Sequence, residues 1–261
     1  MLIKAYAKVN LFLDVLDKRQ DGMHNILSLM HTINLYDTLY LNFSDKEHFE
    51  TDAKFDCLWE KNSIKKAIET FKRLTGYTDF NLSIRLIKRI PFAGGLGGSS
   101  ADAAAVLRFL GNTYNIPEKD LLLISSQTGS DVPFMLNGGT AIVSGKGDVI
   151  EHLEKLILNI KIHPQDFPLK TPEMYKFLDE IQRKRRSCDE PLKLYEFLKK
   201  NNVDAARDLA FNAFEQKAFE LFPLLKKLKI DYSAMPECIF CLMSGSGSSL
   251  FSVLKKGGYD G

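Results

Sequence analysis

Along residues 3–10 apolar and polar side chains alternate, with Ile3, Ala5, Ala7 and Val9 on one face and Lys4, Tyr6, Lys8 and Asn10 on the other. That is the period of a half-buried strand, and it turns Lys8 and Asn10 the same way. Leu82, Ile84 and Leu86 repeat the alternation ahead of Lys88-Arg89-Ile90-Pro91, so a strand leads into a glycine-rich stretch. Just beyond it, residues 101–110 are strong helix formers and stop at Gly111, which predicts a helix capped there. A second helix is expected over 117–127 with Gly129 at its end. Ser130-Asp131-Val132-Pro133 is then left as a loop that presents Asp131.

From about residue 156 the texture changes. A strand is expected over 156–162 and helices over 172–183, 191–200 and 204–221, followed by two strands that bracket Ser244-Gly-Ser-Gly-Ser-Ser249. The pattern gives an α+β chain with a boundary near 155, dividing it into 1–155 and 156–261. No internal repeat or low-complexity segment is present.

At 261 residues the chain is long enough for two cores. Its 35 basic residues nearly balance 33 acidic ones, and a net charge of +2 provides no basic field for general nucleic-acid binding. Arg183-Lys-Arg-Arg186 is the one dense basic run and reads as a solvated surface. No apolar run approaches the ~18 residues of a membrane helix, and the first residues lack a signal-peptide core. A cytoplasmic protein acting on small molecules is expected. Cys238-Ile-Phe-Cys241 has no second ligand pair to complete a zinc site and reads as part of an apolar strand. His31, His48, His152 and His163 have no metal-ligand spacing, and no metal bound by the protein alone is expected.

The chemistry concentrates in Pro91-Phe92-Ala93-Gly94-Gly95-Leu96-Gly97-Gly98-Ser99-Ser100-Ala101. Four glycines let the backbone approach a ligand closely, and amides leading into a helix N-terminus make an anion site suited to phosphate. Ser99 and Ser100 can cap the helix or bind phosphate or a magnesium ion carried with ATP. Other nucleotide loops are excluded. Gly145-Lys146 is followed by Gly147 and preceded at the required position by Thr140, and neither G-x-G-x-x-G nor the protein-kinase signatures occur.

Lys8-Val9-Asn10, the Pro91 to Ala101 loop and Met243-Ser-Gly-Ser-Gly-Ser-Ser-Leu-Phe251 follow one another as do the three motifs of the GHMP kinases, whose loop has the form P-x-x-x-G-L-G-S-S-A. The chain resembles that family over its whole length. The resemblance implies a two-domain fold, with an N-terminal ATP-binding domain and a C-terminal ferredoxin-like substrate domain. Ala7-Lys-Val-Asn-Leu-Phe-Leu13, Arg19-Gln-Asp-Gly-Met-His24, Gly129-Ser-Asp-Val-Pro-Phe134, Gly138-Gly-Thr-Ala141 and Gly145-Lys-Gly147 are similar to the members whose acceptor is a cytidine-diphosphate-linked alcohol. A sugar, homoserine or mevalonate kinase, or a non-catalytic nucleotide-binding protein, remains an alternative.

By that resemblance Lys8 and Asp131 are the catalytic pair. Asn10, His24 and Tyr175 bind the acceptor, His24 through a cytosine edge and Tyr175 by stacking. The residue types suit the chemistry, since a carboxylate can orient an alcohol and take its proton while an ammonium steadies the charge that develops. Two positions depart from the family pattern. Met23 stands where an aromatic residue usually precedes the histidine, and the loop runs Gly97-Gly98-Ser99-Ser100-Ala101-Asp102 in place of three glycines and two serines before the acidic residue.

Overall fold

The computed structural model describes residues 1–53, 59–92, 94–167, 169–181 and 185–255; Ala93 of the glycine-rich stretch, and Arg183 and Lys184 of the basic run, lie outside the described residues. Two long strands open the chain, β1 (Leu2–Lys18) and β2 (His24–Ser44), hydrogen-bonded neighbours joined by a turn in which the Arg19 amide donates to the Met23 carbonyl (2.7 Å). Both contribute residues to each of two compact units, the first made of 1–8, 33–92 and 97–138, the second of 9–32, 93–96 and 139–261.

The first unit adds β3 (His48–Thr51), a 3-10 turn (Trp59–Lys61), α1 (Ser63–Thr75), β4 (Asn81–Ile87), α2 (Gly98–Thr113), α3 (Glu118–Thr128) and α4 (Val132–Asn137). Its strands run β3-β4-β2-β1, and antiparallel pairing sets Leu39, Leu41 and Phe43 opposite Leu86, Ile84 and Leu82. The predicted alternation of β4 is therefore met, and Leu82, Ile84 and Leu86 are all buried. Asn62 caps α1 by accepting from the Ile64 amide (2.9 Å), and Gly76 closes it in the left-handed region. Helix α2 differs from expectation at both ends. It starts at Gly98 with Gly97 as cap, so Ser99 and Ser100 lie in its first turn instead of capping it. It also runs through Gly111, where a Cβ would press on Leu121 of α3, so this glycine serves a helix–helix crossing and not a terminus. Gly129 does end α3. The loop expected after it is shorter, because Pro133 falls in the first turn of α4, where a missing N–H costs nothing.

The second unit adds β5 (Thr140–Gly145), β6 (Val149–Leu153), β7 (Asn159–His163), α5 (Thr171–Glu180), α6 (Glu190–Lys199), α7 (Val203–Leu209), β8 (Phe211–Asn212), α8 (Glu215–Leu221), α9 (Pro223–Ser233), β9 (Cys238–Met243) and β10 (Leu250–Leu254). One sheet runs β6-β5-β2-β1-β8, and a second, antiparallel throughout, runs β7-β10-β9. The helix expected over 204–221 is two helices, because Phe211 and Asn212 pair in parallel with Phe12 and Leu13 of β1. Strand β7 starts at Asn159, and upstream of it the Leu156 amide donates to Thr140 Oγ1 (3.0 Å). Cys238 and Cys241 are buried in β9, and burial pushes the Cys241 thiol up to about 12, far from a reactive thiolate. Among the described residues no helix is long and apolar enough to cross a membrane.

Two buried histidines belong to this second unit. His31 Nδ1 meets Thr140 Oγ1 at 2.8 Å; His163 Nε2 meets Ser252 Oγ at 3.0 Å, and its ring stacks on Tyr232 at 3.8 Å. Burial lowers each to about 4, helped by Lys155 and Lys161 respectively. Above pH ~6.5 both folded and unfolded chains hold neutral imidazoles. Between about 6.5 and 4 only the unfolded chain takes up the proton, so folding loses up to ~1.4 kcal/mol per pH unit for each histidine. Asp102 and Glu215 shift upward and act in the opposite sense, but they are common to wild type and histidine variants. Urea unfolding of wild type, His31→Gln and His163→Gln at pH 7, 6 and 5 should therefore show each variant gaining on wild type as pH falls. A gap that stays constant would refute the buried-neutral assignment.

Candidate active site

Strand β1 carries Lys8 into the interior of the first unit, where the residue is only 3% exposed although the strand pattern alone placed it on a polar face. Its aliphatic stem lies against Gly97, where a Cβ would collide with Met135 and crowd the Lys8 chain. Gly97 has φ 72°, so glycine is required there both by space and by backbone conformation. The Lys8 ammonium stands 3.4 Å from Asp131 Oδ2. Asp131 is the cap residue of α4, yet its carboxylate makes no capping hydrogen bond. An aspartate at that position ordinarily accepts from its own helix; here the carboxylate faces the ammonium instead.

The strand exit before the loop is tied down by a buried ionic group that sequence reading did not identify. Asp37 Oδ1 accepts from the amides of Arg89 (2.5 Å) and Ile90 (2.9 Å), while Lys88 Nζ bridges Asp37 Oδ2 (2.5 Å) and Asp102 Oδ2 (2.8 Å). Burial works against the Lys88 charge, but Asp102 and Asp37 outweigh it and hold its pKa above the ordinary lysine value. Burial pushes the Asp102 carboxyl up to about 7, with Lys88 opposing and the Asp37 charge adding to the rise. Asp102 Oδ1 is buried without a hydrogen-bond partner. The group fixes the start of the loop relative to the first turns of α2, whose leading amides are unsatisfied by the helix and face its N-terminal end.

In the second unit the turn 244–249 between β9 and β10 is held from several sides. Asn10, 1% exposed, accepts from the Gly245 amide (3.1 Å) and donates to Ser28 Oγ (2.8 Å), which donates to the Phe12 carbonyl (2.6 Å). Asn212 donates to the carbonyls of Met243 (2.6 Å) and Gly245 (2.8 Å). Gly95, with φ 72°, leaves no room for a Cβ against the Ser244 carbonyl, and Ser244 Oγ donates to the Gly95 carbonyl (2.9 Å). Asn10 thus holds a glycine-rich turn, a role that its residue type in a strand does not announce.

His24 opens β2 with its side chain 8% exposed, and its Nε2 lies 2.6 Å from Asp179 Oδ1. The imidazole stacks on Tyr175 (centroids 4.9 Å, planes 26° apart), and Tyr175 meets Phe214 edge to face. Tyr175 and Asp179 are four residues apart on α5 and so share a face. The expected histidine and tyrosine are therefore brought together, with an aspartate that sequence reading missed. Met23 is 44% exposed beside them in sequence. The described part of the basic run is ion-paired, Arg185 with Asp17 (2.7 Å) and Arg186 with Glu190 (2.5 Å).

Comparison with known proteins follows the same lines. The model of the GHMP kinases N-terminal domain matches residues 62–139. The 4-diphosphocytidyl-2-C-methyl-D-erythritol kinase of Petrotoga mobilis is 50% identical over 97% of this chain and 99% of its own length, and that of Thermotoga maritima is 40% identical over 98% and 93%. A crystal structure of 4-(cytidine 5'-diphospho)-2C-methyl-D-erythritol kinase superposes with a TM-score of 0.77 at 30% identity, covering 98% of this chain and 91% of that one. The mevalonate kinase of Methanococcus jannaschii, at 14% identity and TM-score 0.72 over 98% and 91%, shares the fold. These comparisons show the α+β GHMP kinase fold, and the chain belongs to the 4-diphosphocytidyl-2-C-methyl-D-erythritol kinase family within the GHMP kinases.

Proposed function

We propose that this chain transfers the γ-phosphate of ATP to the 2-hydroxyl of 4-diphosphocytidyl-2-C-methyl-D-erythritol, giving the 2-phosphate and ADP on the methylerythritol phosphate route to isoprenoid precursors. The observation that carries the reading is the Lys8–Asp131 pair, a buried ammonium beside Gly97 with a carboxylate withheld from its own helix cap. Asp131 orients the acceptor hydroxyl and takes its proton as the oxygen bonds to the γ-phosphorus and the bond to the β-phosphate oxygen breaks. Lys8 offsets the negative charge that develops.

Between Pro91 and Ala101 the backbone amides of Phe92 and Gly94 to Ser100 cradle the phosphates, since Pro91 has no N–H and the Ala101 amide donates to the Gly97 carbonyl (2.8 Å). A hydroxyl of Ser99 or Ser100 suits a hard cation such as Mg2+, whereas the neighbouring Asp102 carboxylate is engaged with Lys88. Mg2+ bound with ATP supplies neutralisation of charge on the β- and γ-phosphates. By sequence we assign the nucleotide to residues 1–155 and acceptor recognition chiefly to 156–261, with His24 added to it and Tyr175 stacking on the base; Asn10, whose side chain is engaged with Gly245 and Ser28, serves the acceptor by fixing the 244–249 turn. A cytoplasmic enzyme of small-molecule metabolism fits the near-neutral charge of the chain.

ADP release with Mg2+ and ATP is expected with the cytidylyl methylerythritol acceptor and not with galactose, homoserine or mevalonate; turnover on one of those instead would discard the substrate. Asp131→Asn is expected to lower kcat roughly a hundredfold or more while leaving thermal stabilisation by an ATP analogue in place. Equal activity in that variant would remove Asp131 from the chemistry. Gly97→Ala places a Cβ in the left-handed region, at a cost of about 1–2 kcal/mol, and against Met135. Its melting temperature should fall and its KM for ATP rise, and an alanine variant indistinguishable from wild type would contradict the close approach.

A further inference from the structure

Beside the assigned His24, Asp179 and Lys18 form an ionic group with a definite directional chemistry. Asp179 spans two partners in the second unit: Oδ1 meets His24 Nε2 at 2.6 Å, and Oδ2 accepts from Lys18 Nζ at 2.7 Å. The hydrogen bonds from Lys18 and then His24 hold the Asp179 carboxyl below the usual carboxylate range. An ionised carboxylate only accepts hydrogen bonds, so Nε2 must be the nitrogen that carries the proton. In the neutral imidazole Nδ1 is then an acceptor, and among the described residues nothing occupies it. Stacking on Tyr175 at 4.9 Å, with Phe214 edge-on to the tyrosine, opposes rotation of the ring out of this orientation.

We propose that Asp179 is a positioning residue that fixes the tautomer of His24 and thereby makes the acceptor site select cytosine over uracil. An accepting Nδ1 complements the exocyclic amino group at C4 of cytosine. Uracil carries a carbonyl oxygen at that position, and two acceptors would face each other with no proton between them. The inference rests on the reading of His24 as the residue that meets the base. It adds to that reading the group that determines which base edge His24 can meet. Lys18 contributes by keeping Asp179 ionised, and Tyr175 by keeping the imidazole in plane.

The test compares the cytidylyl acceptor with its uridylyl analogue on the full-length protein. Wild type should favour the cytidylyl compound. In Asp179→Asn the side-chain amide can donate as well as accept, which releases the proton of His24 to either nitrogen. The cytidylyl-to-uridylyl ratio of kcat/KM should then fall by about tenfold or more, through KM of the acceptor, with kcat and KM for ATP nearly unchanged. Asp179→Glu retains an accepting carboxylate and should recover part of the ratio, which separates tautomer control from a general loss of structure. The imidazole 15N signals of His24 should report protonated Nε2 in wild type and a shifted tautomer balance in Asp179→Asn. An unchanged ratio and unchanged 15N signals in Asp179→Asn would overturn the role of Asp179. If His24→Ala loses discrimination while Asp179→Asn keeps it, the base-reading assignment stands and the positioning role falls. If His24→Ala leaves use of the cytidylyl acceptor intact, both fall.

Discussion

An ammonium group taken out of water must meet a counter-charge, and the first unit is arranged around that requirement at Lys8. The residue is 3% exposed, and Asp131 supplies an oxygen at 3.4 Å. Removing Asp131 would leave the buried ammonium uncompensated, whereas Asp131, with 30% of its side chain exposed, can still reach water. The geometry follows from this. Strand β1 must enter the interior, position 97 must lack a side chain so that the lysine stem can pass, and α4 must begin where its cap carboxylate reaches the ammonium and not its own amides. A kinase site needs the same arrangement, since a carboxylate and an ammonium held in place before substrate arrives have no reorganisation left to undergo during transfer.

The second unit holds its glycine-rich turn by a different means, a chain of neutral amides and hydroxyls. Asn10, Ser28 and Asn212 each have donor and acceptor capacity, and each is used on backbone or on another member of the chain. Such a network fixes a turn that has no side chains of its own large enough to pack. Glu215 extends it. Its Oε1 accepts from the Met243 amide (2.8 Å) and its Oε2 pairs with Lys229 (2.5 Å), and although burial raises its pKa, both partners favour the charged form. Replacing a single member strands a buried polar group, so the network is fixed as a whole more firmly than pairwise energies suggest.

Much of the scaffold was legible in the sequence because its signals are local. Alternation marked β1 and β4, Gly129 marked the end of α3, and the apolar runs on either side of the Ser-Gly repeat marked β9 and β10. The errors occurred where a local rule met a tertiary demand. Gly111 reads as a stop but allows α2 to cross α3; α9, opened by Pro223, was not anticipated; Phe211-Asn212 carries no breaker yet leaves the helical pattern to pair with β1. The site divides in the same way. Lys8, His24 and Asp131 stand in the quoted motifs, whereas Tyr175 and the supporting groups do not. Asp37 lies 51 residues from Lys88, and Asp179 lies 155 residues from His24. Nothing periodic or compositional links residues so far apart, and the family motifs name reacting groups and not the groups behind them.

The Asp37, Lys88 and Asp102 group shows what a buried charge cluster can do behind a glycine-rich loop. Two carboxylates share one ammonium, and Asp102 is left with an oxygen that has no donor; burial first, and then the Asp37 charge, raise its pKa against the opposing effect of Lys88. Apolar packing of equal volume would hold the strand exit and the helix together at less electrostatic cost. What packing cannot supply is direction: Asp37 accepts two successive amides just ahead of Pro91, and this fixes the course of the backbone as it enters the loop. A glycine-rich loop has few side chains to orient its backbone by packing, so its direction has to be specified where the chain enters it. The unpaired oxygen of Asp102 is the residual cost of that specification, held where the first turns of α2 leave no access to water.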